Sequence, residues 1–196
     1  MVKVVNYLKK SSAKRIKGLI LILVLLILTV FVLDNAAKAV YPVKYKAYVV
    51  KYSDKYKLDP FLVFAVIKAE SGFRPDAVSP SNAKGLMQLT EGTGKWAAGK
   101  MGLKNYKPDK LMDPETNIML GCWYLNSLLK EFGQDRDKAL AAYNAGSGNV
   151  KQWLQEGILS KEGTELSGIP FRETENYLKR VKKYYNVYQK LYAGGL

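Results

Sequence analysis

The sequence predicts a mostly helical globular domain with a small irregular or β segment, preceded by one N-terminal transmembrane helix. Three observations predict it. An uncharged run of Leu, Ile and Val stands near the amino terminus. Beyond it, Asp-Pro pairs and free prolines alternate with glycines at intervals that suit helices. Between Gly72 and Leu89 the rhythm breaks, where Pro75, Ser79, Pro80, Ser81, Asn82 and Gly85 interrupt short apolar pieces.

Residues 1–17 carry Lys3, Lys9, Lys10, Lys14, Arg15 and Lys17 and no acid, and are expected to be a basic cytoplasmic segment. Gly18 to Leu33 is uncharged, and Asp34 ends it. A helix over 18–33 spans about 24 Å at ~1.5 Å per residue, against a hydrocarbon core of ~30 Å. Snorkelling by Lys17 and local bilayer thinning close that gap. The reading is a transmembrane signal-anchor over 18–33, single-pass, with everything after Asp34 outside the cell membrane. A cleaved signal peptide is the competing reading. Ala37-Lys38-Ala39 fits the small-x-small pattern, with cleavage before Val40 and secretion of the remainder. The long basic region and long apolar run favour the anchor. A short linker over 34–44 then leads to the main domain, 45–196.

In that domain helix starts are marked by proline. Pro42 is expected to open one helix, Asp59-Pro60 a second, Asp113-Pro114 a third, and Pro170 a long last one. An Asp N-cap accepts an otherwise orphaned N–H, and Pro at the first helical position has none to lose. Gly72, Gly133, Gly146 and Gly194 are the matching stops. About six helices result. The broken stretch reads as a loop or small hairpin, with Gly85–Gln88 as a short strand. Tyr45, Tyr48, Tyr52 and Tyr56 recur at helical spacing, as do Tyr177, Val181, Tyr184, Tyr188 and Tyr192. These are apolar stripes with lysines on the solvent face. An outside location argues against nucleic acid as their partner.

Composition narrows the chemistry. The 196 residues hold no histidine and one cysteine. A Ser-His-Asp triad, a Cys-His hydrolase and an imidazole zinc site are excluded, as are an intrachain disulfide and a CxxC pair. Cys122 reads as a small buried apolar residue. Net charge is +14, and the part after residue 33 holds 25 basic against 17 acidic residues. A basic exported domain suits an anionic polymer, a membrane surface or an anionic wall.

One carboxylate is placed against the needs of structure. The helix opened by Pro60 is apolar nearly all round and should be buried. Glu70 stands in its last turn, on the face of Val63, Val66 and Ile67. Burial disfavours the anion, and so does the negative end of the helix dipole. A carboxylic acid held protonated near neutral pH is what a general acid must be. The bland alternative is a frayed terminus, with Glu70 in water or paired with Arg74.

Glu70-Ser71 is followed by Ser79, then Gly85-Leu86-Met87-Gln88, then Ala142-Tyr143-Asn144-Ala145-Gly146, then Pro170-Phe171-Arg172-Glu173-Thr174-Glu175-Asn176-Tyr177. This series resembles the soluble-type (SLT) lytic transglycosylase family over roughly residues 45–192. The resemblance implies a goose-lysozyme-like, α+β lysozyme-like fold. It implies cleavage of the β-1,4 bond between N-acetylmuramic acid and N-acetylglucosamine in peptidoglycan, leaving a 1,6-anhydro end, with no metal or cofactor. The expected partners are peptidoglycan glycan strands and, through the amino-terminal helix, the membrane.

The resemblance also assigns residues. Glu70 matches the catalytic acid/base. Ser79 matches a serine that bonds the substrate's N-acetyl group, and otherwise reads as a turn residue before Pro80. Gln88 matches a glutamine lining the cleft. Tyr143 and Asn144 match a pair that faces the acid, although Asn144 with Gly146 is also good helix-end chemistry. Glu173 and Tyr177 share a helix face and match a segment bordering the site; Glu173 reads equally as an ion-pair partner. Met87 and Trp96 read as core or cleft wall. Ordinary glycosidases use two carboxylates. Asp76, Glu91, Asp113 and Glu173 offer no second acid in an obviously catalytic context, and the resemblance implies substrate-assisted chemistry. Hydrolysis of the same bond, and a non-catalytic wall-binding or assembly role, are the rival functions.

Overall fold

The computed structural model describes the backbone of residues 2–158 and 169–196, with side chains from residue 17 onward. The basic side chains between residues 3 and 15 lie outside the described residues. The chain divides into two units, Met1–Pro42 and Val43–Leu196.

The first unit is one helix, α1 (Val2–Val40). Within it, Lys17–Val40 is long and apolar enough to cross a membrane, and its large apolar side chains are exposed. The helix does not stop at Asp34. Asn35 donates to Phe31 O at 2.8 Å, and Lys38 pairs with Asp34 one turn back at 2.6 Å. Polar residues therefore continue the helix through 34–40, where a linker was expected.

The second unit holds α2 (Lys46–Tyr56), α3 (Pro60–Glu70), α4 (Glu91–Lys100), a 3-10 turn (Pro108–Met112), α5 (Pro114–Glu131), α6 (Arg136–Ala145), α7 (Ser147–Gln155) and α8 (Arg172–Leu191). Among the described residues there is no sheet. Two isolated antiparallel bridges, Val78 with Lys84 and Lys84 with Leu89, are the β element.

The Asp caps act as their chemistry requires. Asp59 accepts from Phe61 N–H at 2.8 Å, and Asp113 from Thr116 N–H at 2.9 Å. Two further starts carry no Asp-Pro signal. Asp135 accepts from Lys138 N–H at 3.0 Å to begin α6, and Thr90 from Thr93 N–H at 3.1 Å to begin α4.

Two local expectations are corrected. Pro42 does not open a helix: α2 begins at Lys46, because Tyr45 is left-handed at φ 58° and turns the chain before the first helical residue. Gly85–Gln88 is a tight turn closed by the Lys84–Leu89 bridge and not a strand. Gly85 at φ 77° and Gln88 at φ 47° curl it back on itself.

The core centres on α3, whose residues from Leu62 to Ile67 are all buried. It packs along α8, which supplies Tyr177, Val181 and Tyr188 to the interior. Phe64 meets Tyr188 with ring centroids 5.6 Å apart. Each large side chain so buried contributes roughly 1.5–3 kcal/mol, which fixes the α3 terminus against α8. Cys122 is wholly buried in α5, and burial pushes its thiol pKa far up.

Candidate active site

The site is built on the carboxyl end of α3. Glu70 is its last residue, half-buried at its surface but closely surrounded by protein. Burial raises its pKa from 4.5 to about 7. Tyr177 and the positive charge of Arg180 act the other way, and the negative charge of Glu173 adds to the rise. All three influences come from α8, where residues 173, 177 and 180 fall on one helix face. Tyr177 is buried, and its hydroxyl has no hydrogen-bond partner of ordinary geometry. It still lies close enough to the carboxyl to favour its charged form. Arg74, the alternative partner for Glu70, instead donates its Nε to Ser71 O at 3.0 Å.

A second wall faces this carboxyl. Tyr143, near the end of α6, donates its hydroxyl to Met87 O at 2.8 Å. Burial raises the Tyr143 pKa well above its ordinary value, and the nearby Glu70 charge adds to that. Asn144 accepts from Thr174 Oγ1 at 2.7 Å, tying the end of α6 to the first turn of α8. Ser71 donates to Leu86 O at 2.8 Å, which is a structural use of that hydroxyl.

The 84–89 turn is held by a residue that sequence reasoning missed. Asn117, fully buried in α5, donates Nδ2 to Lys84 O and Leu111 O, each at 2.9 Å, and accepts from Met87 N–H at 2.7 Å. A Cβ on Gly85 would stand 2.3 Å from Leu111 O and 2.4 Å from Asn117 Nδ2. Only glycine permits that approach. A polar residue in the interior stripe Asn117, Ile118, Gly121, Leu125 was the available signal.

The expected residues are thus unevenly gathered. Glu70, Tyr143, Tyr177, Asn144 and Glu173 converge from α3, α6 and α8. Gln88 sits on the adjoining turn, with Nε2 donating to Ala77 O at 3.0 Å and Gly85 O at 2.9 Å. Ser79 is engaged in its own turn: its Oγ accepts from Ala83 N–H at 3.0 Å and lies 2.9 Å from Ser81 Oγ. Glu91, one candidate second acid, is held by Lys84 at 2.6 Å. No group of three or more acidic, cysteine or histidine side chains among the described residues could hold a metal ion. A protonated carboxyl at the end of an apolar helix, with tyrosines on two sides, can donate a proton to a bound oxygen and take one back.

Known proteins resemble the chain in sequence and in fold. The family model for the transglycosylase SLT domain matches residues 47–161. The soluble lytic murein transglycosylase of Escherichia coli K12 is 33% identical over 156 residues, covering 79% of this chain and 24% of its own. The membrane-bound lytic murein transglycosylase C of Serratia proteamaculans is 36% identical over 135 residues, covering 64% of this chain and 36% of its own. Among solved structures, lytic transglycosylase Slt of Pseudomonas aeruginosa, determined as an inactive mutant, superposes with a TM-score of 0.71 at 32% identity, over 80% of this chain and 25% of that one. This chain spans about a quarter of the length of the soluble relatives.

Proposed function

The chain belongs to the transglycosylase SLT family, and from that premise we propose that it is a peptidoglycan lytic transglycosylase with Glu70 as its single general acid/base. The observation that carries this is the Glu70 carboxyl, kept neutral to about pH 7 by burial and faced by Tyr143 and Tyr177.

Neutral Glu70 gives its proton to the leaving glycosidic oxygen as the bond to the muramic anomeric carbon breaks. The substrate's own N-acetyl carbonyl stabilises the oxocarbenium-like centre. Glu70, now a carboxylate, takes the proton of the C6 hydroxyl while that oxygen closes the 1,6-anhydro ring. Atoms balance without water. Arg180 and Tyr177 favour the charged intermediate form of Glu70, and burial favours the neutral form it starts from. Tyr143, Asn144 and Gln88 are assigned to the cleft wall, and Ser79 to the N-acetyl group.

Glu173 favours one rival. It is exposed and its charge reaches Glu70, so hydrolysis with Glu173 as second carboxylate is the alternative. Product mass separates them. Purified residues 43–196 on isolated sacculi should release fragments one water lighter than hydrolysed ends. Fragments of hydrolysed mass support the rival, and no fragments at all overturn the enzymatic reading.

For localisation, we propose that α1 is an uncleaved anchor whose basic flank stays in the cytoplasm, with the second unit on the wall side. Recovery of the full-length mass in the membrane fraction supports it. A mature species beginning at Val40 overturns it in favour of secretion.

A further inference from the structure

Behind the cleft wall, α5 presents two buried residues to the 84–89 turn. Asn117 holds the backbone of the turn, accepting from Met87 N–H at 2.7 Å and donating to Lys84 O at 2.9 Å. Gly121 makes room for a side chain. A Cβ there would stand 2.3 Å from Met87 Sδ, 2.9 Å from its Cε and 3.0 Å from its Cβ. Gly121 is interior to α5 and its φ is not left-handed, so the backbone does not require glycine. A helix interior disfavours it. Met87 is what requires it. Residues four apart share a helix face, so Asn117 and Gly121 form one seat. Met87 fills that seat with none of its surface exposed.

The seat leads to the acid by two routes. Met87 O accepts from the Tyr143 hydroxyl at 2.8 Å, and the Tyr143 ring neighbours Glu70. Leu86 O accepts from Ser71 Oγ at 2.8 Å, and Ser71 directly follows Glu70. Two adjacent carbonyls thus tie the carboxyl ends of α6 and α3 to a turn whose place is set by α5. A hydroxyl–carbonyl bond holds only between about 2.5 and 3.0 Å. Close-packed interiors transmit strain and do not absorb it. A shift of Met87 is therefore passed to Tyr143 and to the residue beside Glu70.

We propose that Asn117 and Gly121 are positioning residues for the reaction: by seating Met87 they set where Tyr143 and the end of α3 hold the Glu70 carboxyl. This rests on the reading of Glu70 as acid/base and extends it to two residues that are buried and do not touch the sugar. Such placement matters in proton transfer, because a misplacement of about 1 Å can cost on the order of 10²-fold. It also keeps water from the carboxyl. With the Tyr143 ring displaced, Glu70 loses part of the burial that holds it neutral, and its pKa falls from about 7 toward 4.5.

Fragment release from sacculi by the detergent-solubilised full chain, measured across sacculus concentration and pH, tests this. Gly121→Ala should lower kcat by roughly 10–10²-fold and leave the half-saturating sacculus concentration unchanged. The alkaline limb of its pH profile should move toward lower pH, whereas a merely destabilised protein keeps the limb in place. Met87→Ala removes the atoms that the new methyl would strike. Gly121→Ala combined with Met87→Ala should therefore regain about tenfold over Gly121→Ala alone. Where Gly121→Ala does not fold, Met87→Ala by itself decides: it empties the seat, deletes no hydrogen bond, and should move the limb in the same direction. Folded variants with parental kcat and limb overturn the proposal, as does a fall in kcat with an unmoved limb and no recovery in the double variant. No release by the parent protein overturns the acid/base reading and the positioning role with it. Release that disappears in Glu70→Gln yet ignores Gly121 and Met87 overturns the positioning role alone.

Discussion

At the start of α5, Asp113 accepts hydrogen bonds from Thr116 Oγ1 at 2.6 Å and Thr116 N–H at 2.9 Å. At the end of α3, Glu70 accepts none from backbone and lies against an apolar helix. The two groups have nearly the same intrinsic acidity. The Thr116 bonds hold the Asp113 pKa below its usual value, while burial lifts that of Glu70 to about 7. Position along a helix axis makes the difference. The amino end offers free N–H groups and a positive dipole, and the carboxyl end offers neither. Asp113 serves the fold, whereas Glu70 is held at a cost to it.

The largest effect that would break this contrast is on turnover. Glu70→Gln should lower fragment release from sacculi by about 10²–10⁴-fold. The same variant should gain stability. The unfolded chain releases this proton near pH 4.5 and the folded chain near 7. Stability is therefore lost as pH rises between those values, up to about 3 kcal/mol. Melting curves should show Glu70→Gln above wild type at pH 8 and level with it at pH 4. Equal melting at both values would mean that Glu70 is not held neutral.

Next comes the wall opposite Glu70. Asn117→Ala strands the Met87 N–H and the Leu111 carbonyl in the interior, while the Lys84 carbonyl keeps its bond from Leu89 N–H. It should cost about 3 kcal/mol in chemical denaturation. A loss under 1 kcal/mol would show that water replaces the amide. Asp113→Ala, at the opposite type of helix end, should cost about 1 kcal/mol and leave turnover intact. Tyr177→Phe has the smallest expected effect and sharpens the comparison most. The hydroxyl lowers the Glu70 pKa, so its removal should move the alkaline limb of the pH–rate profile upward. A limb that stays put would remove Tyr177 from the electrostatics of the site.

The parts legible in the sequence are those that depend on near neighbours. The Asp59 and Asp113 caps, the burial of α3 and the odd position of Glu70 follow from spacings of one to four residues. The start of α2 is not legible because Tyr45 takes a left-handed conformation, which only Gly, Asn or Asp announces in advance. The Gly85–Gln88 turn reads locally as a strand because its shape is set by Asn117, some thirty positions away. Glu70 faces Tyr143 and Tyr177 only because α3, α6 and α8 meet, and no local pattern declares such a meeting. The α4 and α6 starts use Thr90 and Asp135 without a following proline, a quieter signal than an Asp-Pro pair.

The absence of imidazole has a practical corollary. In most proteins, a spectroscopic change between pH 6 and 8 is shared among several rings whose contributions must be disentangled. Here no histidine side chain competes, so the Glu70 carboxyl titrates against a quieter background of side chains. Tyr143 and Tyr177 beside it are natural reporters in the ultraviolet, and the protein carries its own indicator for the proton it is built to hold.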